Sequence, residues 1–243
     1  MEEKKRYAAQ WEVSSEHFYE NSCYVWMAEQ IEAYNVVLEI GCGTGFSTLE
    51  LLKCGHKVIA IDKNEYCIEQ AKNRINTAGF SVGDVSKNDV DFIVADIVDK
   101  EFIQSILKYK FDVVICWNVG TYEDNGTRQY YQPFFLEYGL TEQQIDSNWE
   151  SSYAELIFWT ACSIAADKKV PFHLVDRSIE SLTQDNCQYY AALGGEFHYQ
   201  YMKANQMMTS TISIGGKLLK VKGEVVTRRE IETILISVLY WDE

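Results

Sequence analysis

Three glycines and an acid carry the strongest chemical signal in the chain. Gly41, Gly43 and Gly45 occupy alternate positions, and glycines with this spacing let the backbone turn tightly and bring its amides close to a ligand. Asp62 lies about 20 residues beyond Gly41, the separation at which a carboxylate meets a ribose in nucleotide-cofactor folds. The pattern is typical of a site that binds a nucleotide cofactor.

Alternating apolar strands and a helix must position these residues. An apolar strand at 36–40 leads into the glycine turn, residues 46–53 can form a helix, and residues 57–61 form a second apolar strand that ends at Asp62. A fourth strand is expected at 111–116, after a third that ends near residue 94. Ligands in such open sheets bind outside the carboxyl ends of the strands, where the strand order reverses.

The glycine turn also distinguishes between cofactors. Dinucleotide-binding loops follow G-x-G-x-x-G/A, and Phe46 stands where that pattern requires a small residue. The run from Glu39 to Gly45, E-x-G-x-G-x-G, resembles instead the first motif of the class I S-adenosylmethionine-dependent methyltransferases. The resemblance extends through Asp62, through Asp96 after the third strand, and through the fourth strand. A nicotinamide-dependent oxidoreductase is the alternative enzyme class.

The resemblance implies S-adenosylmethionine as the cofactor and a doubly wound α/β fold. That fold is a Rossmann-like, seven-stranded, mostly parallel sheet with helices on both faces, and its last two strands form an antiparallel pair at one edge. In the family, the glycine turn accommodates the methionine part, the counterpart of Asp62 binds the ribose, and the counterpart of Asp96 binds the adenine amino group. Either acid could instead cap the next helix. The residues expected at the cofactor are Glu39, Gly41, Cys42, Gly43, Gly45, Asp62, Lys63, Asp96, Ile97 and Cys116.

Three residues are candidates for the acceptor side. Asn118 follows the fourth strand and could orient the acceptor or simply form a turn. Asp176 follows the fifth strand and could act as a general base, cap a helix or pair with Arg177. His17 lies in an aromatic segment that could cover the pocket. Because methyl transfer needs a base only when the acceptor arrives protonated, the family resemblance identifies the cofactor but no catalytic residue.

Composition limits the class of protein. The 243 residues are 47% hydrophobic and are expected to form a single α/β domain. A formal charge of −14 disfavours nucleic-acid partners. Seven cysteines without a C-x-x-C pair, and the lack of an apolar leader or of a membrane-length apolar run, predict a cytoplasmic protein that is not bound to membranes. Four scattered histidines predict no metal site.

Several segments are added to the cofactor-binding half at 35–117. Residues 1–34 are expected to form an aromatic helical cap, residues 118–148 a lid or substrate-binding insertion, and residues 203–230 a hairpin insertion around Gly215-Gly216. The other predicted elements are a helix at 148–166 opened by a Ser147/Glu150 capping box, a strand at 172–175, a helix at 179–193 stopped by Gly194-Gly195, and strands at 196–202 and 234–240. His173 and His198 are expected inside strands.

The sequence therefore predicts a methyltransferase that acts at oxygen or nitrogen of a small molecule. Two alternatives keep the same cofactor: a protein or peptide methyltransferase whose acidic surface attracts a basic partner, and a non-catalytic subunit that binds S-adenosylmethionine. No motif indicates an oligomeric state.

Overall fold

A computed structural model describes residues 2–121, 125–214, 220–221, 224–225 and 228–243. The helices of these residues are α1 (Glu2–Glu20), α2 (Cys23–Glu29), α3 (Phe46–Lys53), α4 (Glu65–Thr77), α5 (Lys100–Ile106), α6 (Asn125–Tyr138), α7 (Glu142–Ser147), α8 (Trp149–Lys168) and α9 (Gln184–Glu196). The strands are β1 (Val36–Ile40), β2 (Lys57–Asp62), β3 (Val90–Val94), β4 (Val113–Trp117), β5 (Phe172–Ser178), β6 (Tyr201–Ile214), β7 (Lys220–Val221), β8 (Glu224–Val225) and β9 (Arg228–Trp241).

Seven strands form one sheet in the order β3-β2-β1-β4-β5-β9-β6. The first five strands of this order are parallel, whereas β9 runs antiparallel to both β5 and β6. Strands such as β4 are buried along their whole length, as expected for parallel strands covered on both faces. The predicted fold class is confirmed, including the antiparallel pair at one edge.

Helices cover both faces of the sheet. One apolar core packs α5 to α9 against one face, and a second packs α1 to α4 against the other. The strand order reverses at β1, which lies between β2 and β4, so the crevice expected in doubly wound sheets opens at the carboxyl ends of these strands. None of the helices in the described ranges is long and apolar enough to span a bilayer.

The predicted N-terminal cap of α8 is wrong for an identifiable reason. The expected Ser147/Glu150 capping box does not open α8, because Ser147 is the last residue of α7 and its hydroxyl donates to the carbonyl of Gln144 at 2.9 Å. The capping box lies instead at the start of α7, between Thr141 and Gln144, and Asn148 caps α8 by accepting from the amide of Ser151 at 3.2 Å.

Helix α9 runs through the predicted stop instead of ending there. It spans Gln184–Glu196 and so includes both Gly194 and Gly195, whereas the sequence predicted a helix at 179–193. A Cβ on Gly194 would lie 2.8 Å from Cδ1 of Tyr240 in β9. This glycine therefore serves the close packing of a helix against the sheet and not a helix end.

The last two strands are longer than predicted. β6 begins at Tyr201, not at 196, and it pairs with β9 from Tyr201↔Trp241 to Ile214↔Arg228. Residues 210–214 therefore pair with residues 228–232 of β9, and the predicted Gly215-Gly216 turn and the start of its second arm at 217–219 lie outside the described residues. His173 lies in β5 as predicted, but His198 follows α9 with a φ of 63° and lies outside any strand.

Candidate cofactor and acceptor site

A cavity opens at the carboxyl ends of β1, β2, β3 and β4. It contains about 590 Å³ of empty space, part of it open to solvent. The residues that line it come from the loops after these strands and from helices α1, α4 and α8. They are Tyr7, Trp11, Ile40, Gly41, Gly43, Ile61, Asp62, Lys63, Asn64, Cys67, Ala95, Asp96, Ile97, Asn118, Val119, Gly120, Tyr153 and Ile157.

The glycine turn has the backbone geometry that its sequence predicts. Gly43 and Gly45 have φ values of 53° and 85°, a region that residues with a side chain rarely adopt. Gly45 is also required for packing, because a Cβ there would lie 2.7 Å from the Cβ of Ala71 in α4. The turn therefore places α3 directly against α4 and leaves the amides near Gly43 at the cavity.

Glu39 supports this turn from behind the cavity. It is 2% exposed, and its two carboxyl oxygens accept hydrogen bonds from the hydroxyls of Ser47 and Thr48, the latter at 2.6 Å. Burial raises the pKa of Glu39 to about 7, although both hydrogen bonds act to lower it. Glu39 does not line the cavity, and its contacts fix the first turn of α3.

Asp62 connects the glycine turn to the start of α4. One carboxyl oxygen accepts from the amide of Gly43 at 2.9 Å, and the other accepts from the amide of Asn64 at 2.8 Å. Burial, which outweighs these two hydrogen bonds, raises the pKa of Asp62 above its usual range. The carboxylate thus lines the cavity in a fixed orientation.

Helix α6, which lies within the predicted insertion at 118–148, contacts the edge of the cavity near Asp96. The hydroxyl of Tyr131 in α6 donates to Asp96, and it accepts from the ammonium of Lys63 at 2.8 Å. Lys63 also donates to the hydroxyl of Thr121 at 2.8 Å, and its ammonium lies 4.2 Å from the ring centroid of Tyr153. These contacts join the insertion to the loops after β2 and β3.

Helix α1 covers the other side of the cavity. Tyr7 and Trp11 project from it as stacked rings whose centroids are 6.4 Å apart. The indole of Trp11 packs so closely on Gly43 that a Cβ at that position would lie 2.3 Å from its ring nitrogen. Arg74 of α4 fastens the helix by pairing with Glu12. A ligand that lies on Gly43 must therefore displace the indole or stack against it.

The extended part of β6 holds α1 from outside. The hydroxyl of Ser14 donates to the carbonyl of Ile212 at 2.9 Å, and the ring of His17 forms a 2.8 Å hydrogen bond with the hydroxyl of Ser210. His17, a candidate for the acceptor side, consequently faces the β6–β9 ribbon and does not line the cavity. Ser210 and Ile212, which fall within the predicted hairpin insertion, thus help to hold the helix that covers the site.

The other two acceptor-side candidates differ in position. Asn118 lines the cavity with a φ of 52°, is 2% exposed, and neither atom of its side-chain amide has a hydrogen-bond partner among the described residues. Asp176 does not line the cavity. Its carboxylate instead accepts from the amide of Arg177 at 2.7 Å and from the hydroxyl of Tyr190 of α9 at 3.5 Å. Burial raises the pKa of Asp176.

Comparison with known protein families identifies the part of the chain that contains the glycine turn, Asp62 and Asp96. The sequence model of a family described as "Methyltransferase domain" matches residues 37–134, from β1 into α6. The chain therefore carries a methyltransferase domain over these residues, and its cofactor is S-adenosylmethionine.

Individual relatives are distant or match only part of the chain. The magnesium-protoporphyrin O-methyltransferase of Rhodobacter capsulatus is 36% identical over 67 residues, which cover 24% of this chain and 30% of that enzyme. A methyltransferase structure from Agrobacterium tumefaciens superposes with a TM-score of 0.51 at 16% identity, over 92% of this chain and 62% of that one. The N-methyltransferase NodS of Bradyrhizobium japonicum, in complex with S-adenosylhomocysteine, gives 0.45 at 15% identity over 93% and 88%.

The cavity of the methyltransferase brings together six of the ten residues expected at the cofactor. These are Gly41, Gly43, Asp62, Lys63, Asp96 and Ile97, whereas Glu39, Cys42, Gly45 and Cys116 pack behind the lining. Burial raises the pKa of both Cys42 and Cys116, so their thiols stay neutral and fill space.

Sequence reasoning missed the contributions of α1, α4 and α8 to the lining. Cys67, Tyr153 and Ile157 lie in helices whose patterns indicate only burial. Tyr7 and Trp11 had one available signal, the aromatic enrichment of residues 1–34, but that enrichment is equally typical of rings that pack a lid against the body.

Proposed function

We propose that this methyltransferase transfers the methyl group of S-adenosylmethionine to an oxygen or nitrogen atom of a small-molecule acceptor. The observation that carries this proposal is the cover over the cavity: α1 lies across one side, and α6 closes the other through Tyr131. An acceptor under this cover must be small enough to fit the space that the cofactor leaves.

The lining residues fit the cofactor in the order of the strands. The glycine turn after β1 would hold the methionine part, Asp62 after β2 the ribose hydroxyls, and Asp96 after β3 the adenine amino group. A carboxylate accepts hydrogen bonds from hydroxyl and amino groups alike. When bound, the cofactor supplies a methyl group that its sulfonium already activates.

The chain's own contribution to the reaction is alignment and exclusion of water. Tyr7 and Trp11 of α1 cover one side of the cavity, and alignment in a site that excludes water can supply much of a displacement reaction's rate. The carboxylates in the described lining, Asp62 and Asp96, lie on the cofactor side, and burial raises the pKa of Tyr7, so its hydroxyl stays protonated. We therefore assign no protein base to the acceptor side.

Asn118 is the side chain that we assign to orienting the acceptor. Its amide offers two donors and an acceptor, is buried, and lacks a partner in the described part of the chain. A buried polar group without a partner costs about 1–3 kcal/mol, which a bound ligand would recover. A peptide acceptor fits this arrangement less well, because α1 would have to leave the site to admit it.

A methyl-transfer screen against small oxygen and nitrogen acceptors, with S-adenosylhomocysteine release as the signal, tests the proposal. We expect turnover with a small molecule, with Asp62→Asn reducing it by tenfold or more and the exposed control Asp167→Asn leaving it unchanged. Turnover on peptides alone would contradict the small-molecule assignment, and S-adenosylhomocysteine binding without any turnover would favour the non-catalytic alternative.

A further inference from the structure

Arg177 places a positive charge at the edge of the cavity. It follows Asp176 at the end of β5, and its guanidinium carbon lies 5.6 Å from the ring centroid of Trp11. One of its terminal nitrogens lies 3.9 Å from the position that a Cβ on Gly120 would take. Trp11 and Gly120 both line the cavity, so the guanidinium lies beside the space under α1.

The guanidinium has no polar partner within the described residues: its side chain forms no hydrogen bond there and no ion pair within 4.0 Å. Successive residues of a strand point to opposite faces of the sheet, so Asp176 points toward Tyr190 of α9 while Arg177 points toward α1. Arg74, on the same face, provides a contrast, because it pairs with Glu12 and donates to the carbonyl of Thr44 at 3.1 Å.

A partly buried arginine without a partner is unexpected in this chain. Asp and Glu number 36 against 22 Lys and Arg, so carboxylates to pair with it are abundant. The guanidinium nitrogens of Arg177 are not among the fully buried side-chain atoms that lack a partner, so they remain accessible to water or to a ligand. A planar guanidinium matches a carboxylate especially well, since it can donate two parallel hydrogen bonds.

The strand order indicates which ligand would provide that carboxylate. From β3 to β5 the sheet places Asp96, Asp62, the glycine turn, Asn118 and Arg177 on successive strands. Neighbouring strands are about 4.8 Å apart, so β5 lies roughly 10 Å beyond the strand that carries the glycine turn. Arg177 thus lies past the expected methionine end of the cofactor, on the side of Asn118.

We infer that the acceptor carries a carboxylate group and that the guanidinium of Arg177 binds it. This inference rests on the proposed function and names the substrate class of the same site. The amide of Asn118, on the neighbouring strand, lies between this anchor and the cofactor half of the cavity. Arg177 is then the residue that selects anionic over neutral acceptors.

Paired acids and amides test the inference on the protein saturated with S-adenosylhomocysteine. Benzoate, phenylacetate and indole-3-acetate are compared with benzamide, phenylacetamide and indole-3-acetamide by ligand-observed NMR, which detects weak fragment binding. We expect the acids to bind at least tenfold more tightly than the amides. Arg177→Gln should abolish this preference, Arg177→Lys should retain part of it, and Arg128→Gln, which removes an arginine paired with Asp146, should leave it intact.

Arg177 could instead bind the carboxylate of the cofactor's methionine part. A second titration distinguishes that carboxylate from one on the acceptor. Dissociation constants of S-adenosylhomocysteine and of 5′-methylthioadenosine, which lacks that carboxylate, are measured for the wild type and Arg177→Gln. We expect both constants to be unchanged by the substitution. If only S-adenosylhomocysteine binds tenfold more weakly, Arg177 binds the cofactor and the inference is wrong.

Other outcomes separate this inference from the proposed function. Acids that bind no better than amides, acids that do not bind at all, or a preference that survives in a folded Arg177→Gln protein would overturn the carboxylate assignment alone. A wild-type protein that fails to bind S-adenosylhomocysteine would overturn the proposed function. Thermal unfolding of each variant verifies that the comparison is made on folded protein.

Discussion

Replacing Glu39 by glutamine should make the stability of the protein less dependent on pH. The fold raises the pKa of this buried carboxyl from 4.5 to about 7, chiefly because burial penalises its charged form. A raised folded-state pKa means that the fold favours the protonated group. The stabilisation is therefore complete below pH 4.5 and is lost as the pH rises through about 7.

The size of the effect follows from the two pKa values. Each tenfold change in proton affinity is worth about 1.4 kcal/mol, so the wild type should lose about 3 kcal/mol of unfolding free energy from this group between pH 4.5 and pH 8. Glutamine cannot ionise, yet it can still accept from Ser47 or Thr48. Asp62 also has a raised pKa, but it is present in both proteins, so its contribution largely cancels in the comparison.

Urea unfolding at several pH values between 4.5 and 8 measures the difference. The free energy of unfolding of Glu39→Gln minus that of the wild type should increase with pH, by about 3 kcal/mol over this range. The exposed control Glu101→Gln should show no such increase. A difference that stays constant with pH would refute the argument that Glu39 is destabilised by burial of its charge.

Three further substitutions test the acceptor side, the glycine turn and the cover that α1 forms over the cavity. Asn118→Gly should leave the free energy of unfolding unchanged or raise it by about 1 kcal/mol, because glycine tolerates the positive φ and removes the unpaired amide. The value of kcat/KM should nevertheless fall at least tenfold. A variant that is less stable in denaturant unfolding would contradict this. Gly45→Ala should lower the free energy of unfolding by about 2 kcal/mol or more, because its Cβ would meet Ala71, and equal unfolding midpoints would exclude this packing. Titration with S-adenosylhomocysteine should change the tryptophan fluorescence, and Trp11→Phe should remove most of the change; an unaltered signal in the variant would show that the indole does not respond to a ligand near Gly43.

The parallel half of the fold was predictable because its signals are local. The glycine turn, the helix at Phe46–Lys53 and the strand that ends at Asp62 each depend on short apolar runs and on glycines that no other residue can replace. Buried parallel strands appear in sequence as continuous apolar segments. The order of these elements was therefore readable, and with it the cofactor half of the site.

The later elements were harder to predict because their determinants are distant in sequence. Gly194 resembles a helix stop, but its role is set by the ring of Tyr240, which lies in another element. Likewise, residues 210–214 resemble one arm of a short hairpin, whereas their partner is β9 and their outer contacts are with α1. Pairing with a remote strand leaves no trace in the spacing of nearby residues.

The acceptor side of the site was only partly visible for the same reason. Asn118 was identifiable from its place after β4, but its unpartnered amide depends on what surrounds it. Asp176 and Arg177 are neighbours in sequence, yet the strand directs them to opposite faces of the sheet. The sequence favoured Asp176 as the residue of the acceptor side, whereas in the structure Arg177 is the one that lies beside the cavity.

Calorimetric titration of the purified protein with S-adenosylmethionine, S-adenosylhomocysteine and NADH tests the central claim most directly. We expect the first two to bind in the micromolar range and NADH not to bind. Asp62→Asn should weaken both by at least tenfold, because its side chain can no longer accept from the amides of both Gly43 and Asn64 while also contacting a ribose. Binding of NADH alone, or undiminished affinity in Asp62→Asn, would contradict the account of this site.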